Sequence, residues 1–370
     1  MTNEQILNCA KELEDYTIQC RRTVHTFAET GGNEVKTRAF ICKQLEEDGI
    51  PYELLEGTGV LGIIDSGKPG PGVVLRADID ALPMKEEPNN LKGPRVCISE
   101  NPETCHSCGH DAHTAMLLAS ARALAQHKDT MTGKVFLAFE QGEENGSGIG
   151  PMLKALSKYD SEITCCWAIH VLSRLDSGLI SIDEGPRMAA GAGIDIKVIG
   201  KGGHGSRPDL SINPVFCAAA ITTNVATAWA NQIPAGETVT LGITQINGGE
   251  VGNIFPDTCE IKGSMRYFNH ELGVKAVDIF KKVAEHTAAM NNCRVEFGPR
   301  MMAFGQPLVN TSKWAKMAQK GISEVLPAGS VVQTEPQYSS ESYGMYLSKY
   351  SGMMSWVGVG NPEVGAGEIH

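Results

Sequence analysis

The densest group of chemically able side chains is Cys105-His106-Ser107-Cys108-Gly109-His110-Asp111-Ala112-His113. Thiolate and imidazole are borderline-soft ligands that suit zinc and its transition-metal neighbours. The glycine between Cys108 and His110 lets the backbone turn both side chains toward one ion. Three readings stand at this point. Cys105, Cys108 and two of the histidines could close a structural zinc knuckle. Cys105-x-x-Cys108 could be a thiol redox pair. Or the loop supplies part of an open catalytic centre whose other ligands come from distant segments.

Other segments offer such ligands. Glu143 and Glu144 are adjacent, which suits a division of labour in which one carboxylate binds a metal and the other takes a proton from activated water. A pair of exposed loop acids is the plainer alternative. His170 follows an apolar run and is expected at the end of a buried strand, as a ligand or as a satisfied core residue. Arg76, Asp78 and Asp80 alternate along an extended run and fall on one side of it, either as a solvated rim or as part of a site.

Elements must position these groups. Helical periodicity over 3–48, broken near 29–32, predicts two helices, and strands follow over 52–56, 60–65 and 73–78. A helix is expected over 114–125, so the Cys/His ligands would sit on a loop entering its N-terminus. Strands over 134–139 and 163–169 would end in the Glu pair and in His170, as ligands do at the carboxyl ends of strands in open α/β sheets. Gly57-Thr-Gly59-Val-Leu-Gly62 matches a dinucleotide fingerprint in letters, but strand-like Ile63-Ile64 follows where a helix is required. Gly62 to Lys68 imitates a phosphate loop, with Pro69 in place of the magnesium-binding Ser/Thr.

From about residue 185 the order becomes β-α-β-β-α-β, the split ferredoxin-like unit, expected as an insertion. The expected division is therefore 1–184 for the first part of a catalytic domain, 185–304 for the insert and 305–370 for the second part. Composition limits the partners. The chain of 370 residues carries 32 Lys and Arg against 43 Asp and Glu, a formal net charge of -11, so no basic face for nucleic acid is expected. No apolar run approaches the roughly 18 residues of a membrane span, and the N-terminus shows no export signal. The 11 cysteines are scattered, which reads as reduced thiols in a cytoplasmic protein.

Taken together, Arg76-Ala-Asp-Ile-Asp-Ala-Leu-Pro83, Cys108-Gly-His-Asp-Ala-His113, Glu143-Glu144, His170, Gly202-Gly-His-Gly-Ser206 and Gly252-Asn-Ile-Phe-Pro-Asp257 resemble the amidohydrolase branch of the M20 metallopeptidase family. Enzymes of that branch act on N-acyl amino acids, hippurate and indole-acetyl amino acid conjugates. The resemblance implies a mixed-sheet, zinc-peptidase-like α/β catalytic domain with the ferredoxin-like insert as lid and homodimerisation domain. It implies two divalent ions (Zn, Mn, Co or Ni) on Cys108, His110, Glu144, His170 and His370, with Glu143 as general acid/base and Asp78 as an orienting carboxylate. Arg76 stands where other branches have a ligand His, and His113 braces the loop from behind the ligands. His204, Asn253 and Arg266 would bind substrate, His204 by polarising the scissile carbonyl. The family's Gly-Ser-Glu-Asp-Phe appears as Ser339-Ser-Glu341-Ser342-Tyr343, and relatives continue past the last histidine, so His370 is expected to be a weakened ligand or the chain to be cut short. The implied function is hydrolysis of N-acyl or N-aroyl amino acids. The alternatives are a dipeptidase or aminoacylase with the same centre, or a non-catalytic metal-binding module.

Overall fold

The structure is a computed structural model that describes residues 2–366. The chain opens with helices α1 (Asn3–Glu12), α2 (Glu14–Phe27) and α3 (Val35–Glu47). The first expected helix is thus two, divided at Leu13. Strands β1 (Tyr52–Leu54), β2 (Val60–Asp65) and β3 (Gly72–Asp78) follow, then α4 (His110–Gln126), β4 (Lys134–Glu140), α5 (Ile149–Leu156), β5 (Ile163–Asp176) and β6 (Ile180–Ser181). A second set comprises β7 (Ala190–Ile199), α6 (Pro214–Gln232), β8 (Val239–Asn247), β9 (Thr258–Tyr267), α7 (His270–Met290) and β10 (Arg294–Phe297). The chain then returns through α8 (Ser312–Ser323), β11 (Val331–Val332), α9 (Gly344–Lys349) and β12 (Gly352–Gly360).

The described residues divide into two compact units, one of 2–187, 309–335 and 345–366, the other of 188–308 and 336–344. The first unit is built on an eight-stranded sheet in the order β1-β2-β4-β3-β5-β12-β6-β11. Its centre is parallel: β3 pairs in parallel with β4 and β5, and β12 with β5, while β1, β2 and the β6/β12 pair are antiparallel. Strand β4 shows why. Its residues after Lys134 are all buried, as a strand covered on both faces demands. Leu137 and Phe139 pack with Ile41 and Leu45 of α3 and Leu117, Leu118 and Ala121 of α4. Phe136, on the alternate face, stacks against Tyr159 with ring centroids 4.9 Å apart.

In the second unit the sheet order is β8-β9-β7-β10, with β9 and β10 antiparallel to β7 and β8 antiparallel to β9. Numbered within the unit this is 2-3-1-4, the ferredoxin-like arrangement, and it follows from simple alternation. Ile194, Ile196 and Val198 line one face of β7 and meet Cys217, Ala218, Ile221 and Val225 of α6 and Ala276, Val277, Phe280 and Ala284 of α7, at the spacing of one helical stripe. The segment 336–344 adds to this unit, with the Ala189 amide donating to the Gln337 carbonyl at 3.1 Å.

Two expectations about the first unit need correction. Helix α4 begins at His110, so that residue is helical and not part of the preceding loop. Strand β5 does not end at His170 but runs on to Asp176, because β12 continues to pair with it and Trp356 lies opposite His170. Among the described residues no helix is long and apolar enough to cross a membrane.

Candidate metal centre

The first turn of α4 is set by Gly109, which adopts φ 88° at the helix N-cap. An added Cβ there would lie 2.4 Å from Val171 Cγ2 on β5. Only glycine takes this backbone conformation at so close an approach, and the turn it makes separates Cys108 from His110. From His110 onward the sequence is rich in Ala, Leu and Met, which favour helix, and Asp111 in the first turn suits the positive end of the helix dipole.

Three groups of donor atoms meet at this turn. Cys108, His110 and His170 each offer one atom within 4.8 Å of the others, as do His110, Glu143 and Glu144, and also Asp78, His110 and His113. Cys108 Sγ lies 3.7 Å from His170 Nε2, and His110 Nε2 lies 3.6 Å from Asp78 Oδ2 and 3.9 Å from Glu144 Oε1. His110 belongs to all three groups. Among the described residues Cys105 joins none of them, which disfavours a closed knuckle built on that thiol.

The imidazoles are oriented by carboxylates. His110 Nδ1 faces Asp80 Oδ1 at 3.1 Å; since an ionised carboxylate only accepts, Nδ1 donates and Nε2 is turned inward. That Nε2 is buried and has no hydrogen-bond partner among the described residues. His113 is different. Its Nδ1 faces Asp78 Oδ1 at 2.6 Å and its Nε2 accepts the Val171 amide at 2.9 Å, so both ring nitrogens are engaged within the fold. His170 Nδ1 donates to the Val171 carbonyl at 2.7 Å, turning Nε2 toward Cys108.

Behind these rings lies a buried charged network. Arg76 donates to Asp78 at 2.7 Å and to Glu140 at 2.9 Å, and the Tyr346 hydroxyl donates to Glu140 at 2.8 Å. Burial works against ionised Asp78, but the charges of His110, Arg76 and His113 outweigh it and hold its carboxyl well below the usual range. Burial likewise disfavours a charged His110, yet Asp78 and Asp80 raise its pKa well above the ordinary value. Burial pushes the Cys108 thiol up to about 11. A field that favours positive charge, an inward imidazole nitrogen, a thiol and carboxylates together fit a divalent transition metal.

Some engaged residues are only hinted at by the sequence or escape it. Asp80 accepts the Glu144 amide at 3.1 Å with Oδ2 while Oδ1 faces His110; its alternation with Arg76 and Asp78 was the available signal. Glu140 and Tyr346 carry no local signal, being joined only by the fold. In the second unit, His204 lies opposite Ile254 in a short antiparallel pair, its Nδ1 accepts from the Ser206 hydroxyl at 2.9 Å, and the Gly205 amide donates to the Asn253 carbonyl at 2.7 Å. The fold thus brings His204 and Asn253 together within that unit. Arg266 lies on β9 opposite Gly191 and Thr240. His370 lies outside the described residues.

Comparison with known proteins adds independent findings. A family model described as Peptidase family M20/M25/M40 matches residues 74–370. Thermostable carboxypeptidase 2 of Saccharolobus solfataricus is 34% identical over 98% of this chain and 90% of its own length. N-acyl-L-amino acid amidohydrolase of Geobacillus stearothermophilus is 32% identical over 81% of each chain. Among solved structures, the Bacillus subtilis YXEP protein, described as a dinuclear metal binding peptidase from the M20 family, superposes with a TM-score of 0.79 at 27% identity, covering 94% of this chain and 89% of that one.

Proposed function

The chain belongs to peptidase family M20/M25/M40 and is a metal-dependent hydrolase of amide bonds, and from that premise we propose that it hydrolyses N-acyl or N-aroyl amino acids. The observation that carries this reading is that two groups from separate elements, Cys108 with His110 and His170, and His110 with Glu143 and Glu144, each bring donor atoms within 4.8 Å of one another and share His110. The resemblance to an amidohydrolase that acts on N-acyl-L-amino acids supports the substrate class. Cleavage of a peptide from its carboxyl end is the second reading, favoured by the likeness to a carboxypeptidase.

In the proposed site Cys108, His110, Glu144 and His170 would hold two divalent ions of Zn, Mn, Co or Ni type; His370, the fifth ligand that the resemblance implies, lies outside the described residues. When bound, such ions acidify a water and polarise the amide carbonyl. Glu143 then accepts a proton from the attacking water at a carboxylate oxygen and returns it to the leaving amine nitrogen. Asp78 and Asp80 orient His113 and His110, and Arg76 balances the buried carboxylates. From the second unit, which serves in this reading as lid and homodimerisation domain, His204 polarises the scissile carbonyl while Asn253 and Arg266 hold the rest of the substrate. A cytoplasmic setting agrees with eleven cysteines that all carry free thiols.

The test is Glu143→Ala. Turnover of N-acyl amino acids is expected to fall by at least about 100-fold while metal content stays at the wild-type level. Wild-type turnover in that variant would remove Glu143 from the mechanism. A panel of N-acyl amino acids and dipeptides, assayed on the wild type with and without chelator, separates the two substrate readings.

A further inference from the structure

Glu143 and Glu144 sit on a turn whose shape is imposed from outside it. We propose that Glu34 is a positioning residue for this turn, anchoring Gly142 and so aiming both glutamates. The effect on turnover rests on the functional reading above; the anchoring itself does not.

Glu34 is fully buried at 0% exposure, and its carboxylate gathers three separate segments. Oε1 accepts the Gly142 amide at 2.7 Å and Oε2 accepts the Gly32 amide at 2.8 Å, while the Thr58 hydroxyl also donates to Oε2. Gln141 ties two of these segments a second time, its Oε1 accepting the amides of Thr58 and, at 2.6 Å, Gly59. The turn has little freedom of its own. Gly142 takes φ +52°, a Cβ on it would meet Ser147 Oγ at 2.1 Å, and the Ser147 amide closes back onto the Gly142 carbonyl at 3.0 Å.

The chemistry of the anchor is specific. A carboxylate offers acceptors to all three donors and brings no donor of its own. A carboxamide of the same size would present an NH2 group to at least one of those N–H or O–H groups. Charge-assisted hydrogen bonds from fixed donors offset part of the cost of burying this anion, while burial still raises its pKa above the usual carboxylate value. Fixing Gly142 sets the direction in which the next two side chains leave the backbone, and the Glu144 amide is then received by Asp80 at 3.1 Å.

The test compares wild type with Glu34→Gln, Glu34→Asp and Thr58→Val at saturating metal. In Glu34→Gln, kcat is expected to fall about ten- to hundredfold with KM changed by less than about threefold. The Gly142 amide is expected to exchange with solvent at least about tenfold faster. Glu34→Asp, which keeps the acceptors, recovers part of kcat, and Thr58→Val shows a smaller loss in the same direction. Unchanged exchange at Gly142 overturns the anchor, whatever the activity. A kcat loss matched by the unfolded fraction, or a Glu34→Asp variant no better than Glu34→Gln, reduces Glu34 to a structural part and overturns the positioning role. Should Glu34→Gln fail to fold, Thr58→Val decides through the same amide. Should the wild type hydrolyse no N-acyl amino acid, the functional reading fails while the exchange measurement still decides the anchor.

Discussion

Asp80 gives one oxygen to each of two segments of the candidate site, to His110 through its ring and to Glu144 through its amide. Replacing it by alanine releases the His110 tautomer and the Glu144 backbone together. Metal affinity of Asp80→Ala is expected to fall about ten- to hundredfold, measured by titration of the metal-free protein; unchanged affinity would show that the ligands hold themselves. A second cluster lies behind α4. Buried His25 faces Asp111 at 2.7 Å and Glu86 at 2.9 Å. Arg21 reaches Asp111 at 2.7 Å, Arg95 stands 3.9 Å from Glu86, and the His106 ring is 6.1 Å away. Burial opposes a charged His25, but the hydrogen bond and charge of Asp111 prevail and its pKa is raised. The folded value then exceeds the unfolded value of about 6.5, so the stability His25 contributes is full below about pH 6.5 and is lost as pH rises through the raised value. Melting profiles of wild type and His25→Gln should therefore converge as pH climbs above about 6.5, and parallel profiles would refute the assignment.

Helix α4 and strand β5 meet at Gly109, and their approach can be probed by two substitutions. Gly109→Ala imposes a left-handed conformation on alanine and drives its Cβ against Val171, a combined cost of about 1–3 kcal/mol measurable by urea denaturation. Val171→Ala in that background relieves the contact and not the backbone strain, so partial recovery is expected; none would mean that Val171 is not the obstacle. At this scale the sequence is informative where chemistry is local. Cys108 and His110 share one short segment, and Glu143 and Glu144 are neighbours, so their types and spacing are visible. Glu34 is not visible in this way, because its partners lie 24 and 108 positions away, and a single Glu before a helix looks like any first-turn acid. His170 was misplaced at a strand end because the apolar run stops there, whereas the pairing with β12 that extends β5 comes from far along the chain.

Across the molecule, alternation and stripe spacing made the βαββαβ unit readable, since each of its strands buries one face against two amphipathic helices. The mixed order of the larger sheet was not readable, because periodicity gives faces and not neighbours. The whole protein also offers a direct check on the metal centre. The candidate ligands come from separate segments that only the folded chain brings together, so an ion bound there binds the folded chain and not the unfolded one, and at a hundredfold excess over Kd it should stabilise by about 2.7 kcal/mol. Zn or Mn added to chelator-treated protein is therefore expected to raise the melting temperature, and His110→Ala to abolish the rise. A rise that persisted in His110→Ala would place the ion elsewhere.

Strand β12 occupies an interior position, between β5 and β6, although it is translated only after the entire ferredoxin-like unit. While a ribosome is still making that unit, β5 presents an open edge and β6 lacks both of its sheet neighbours, β12 and β11, and an open edge is the kind that recruits other chains. The smaller unit has no such wait, apart from its short late segment. Biogenesis is thus expected to proceed in the reverse of the order in which the N-terminal half is made: the later-made insert settles first, and the nascent sheet awaits a strand that shuts it against self-association.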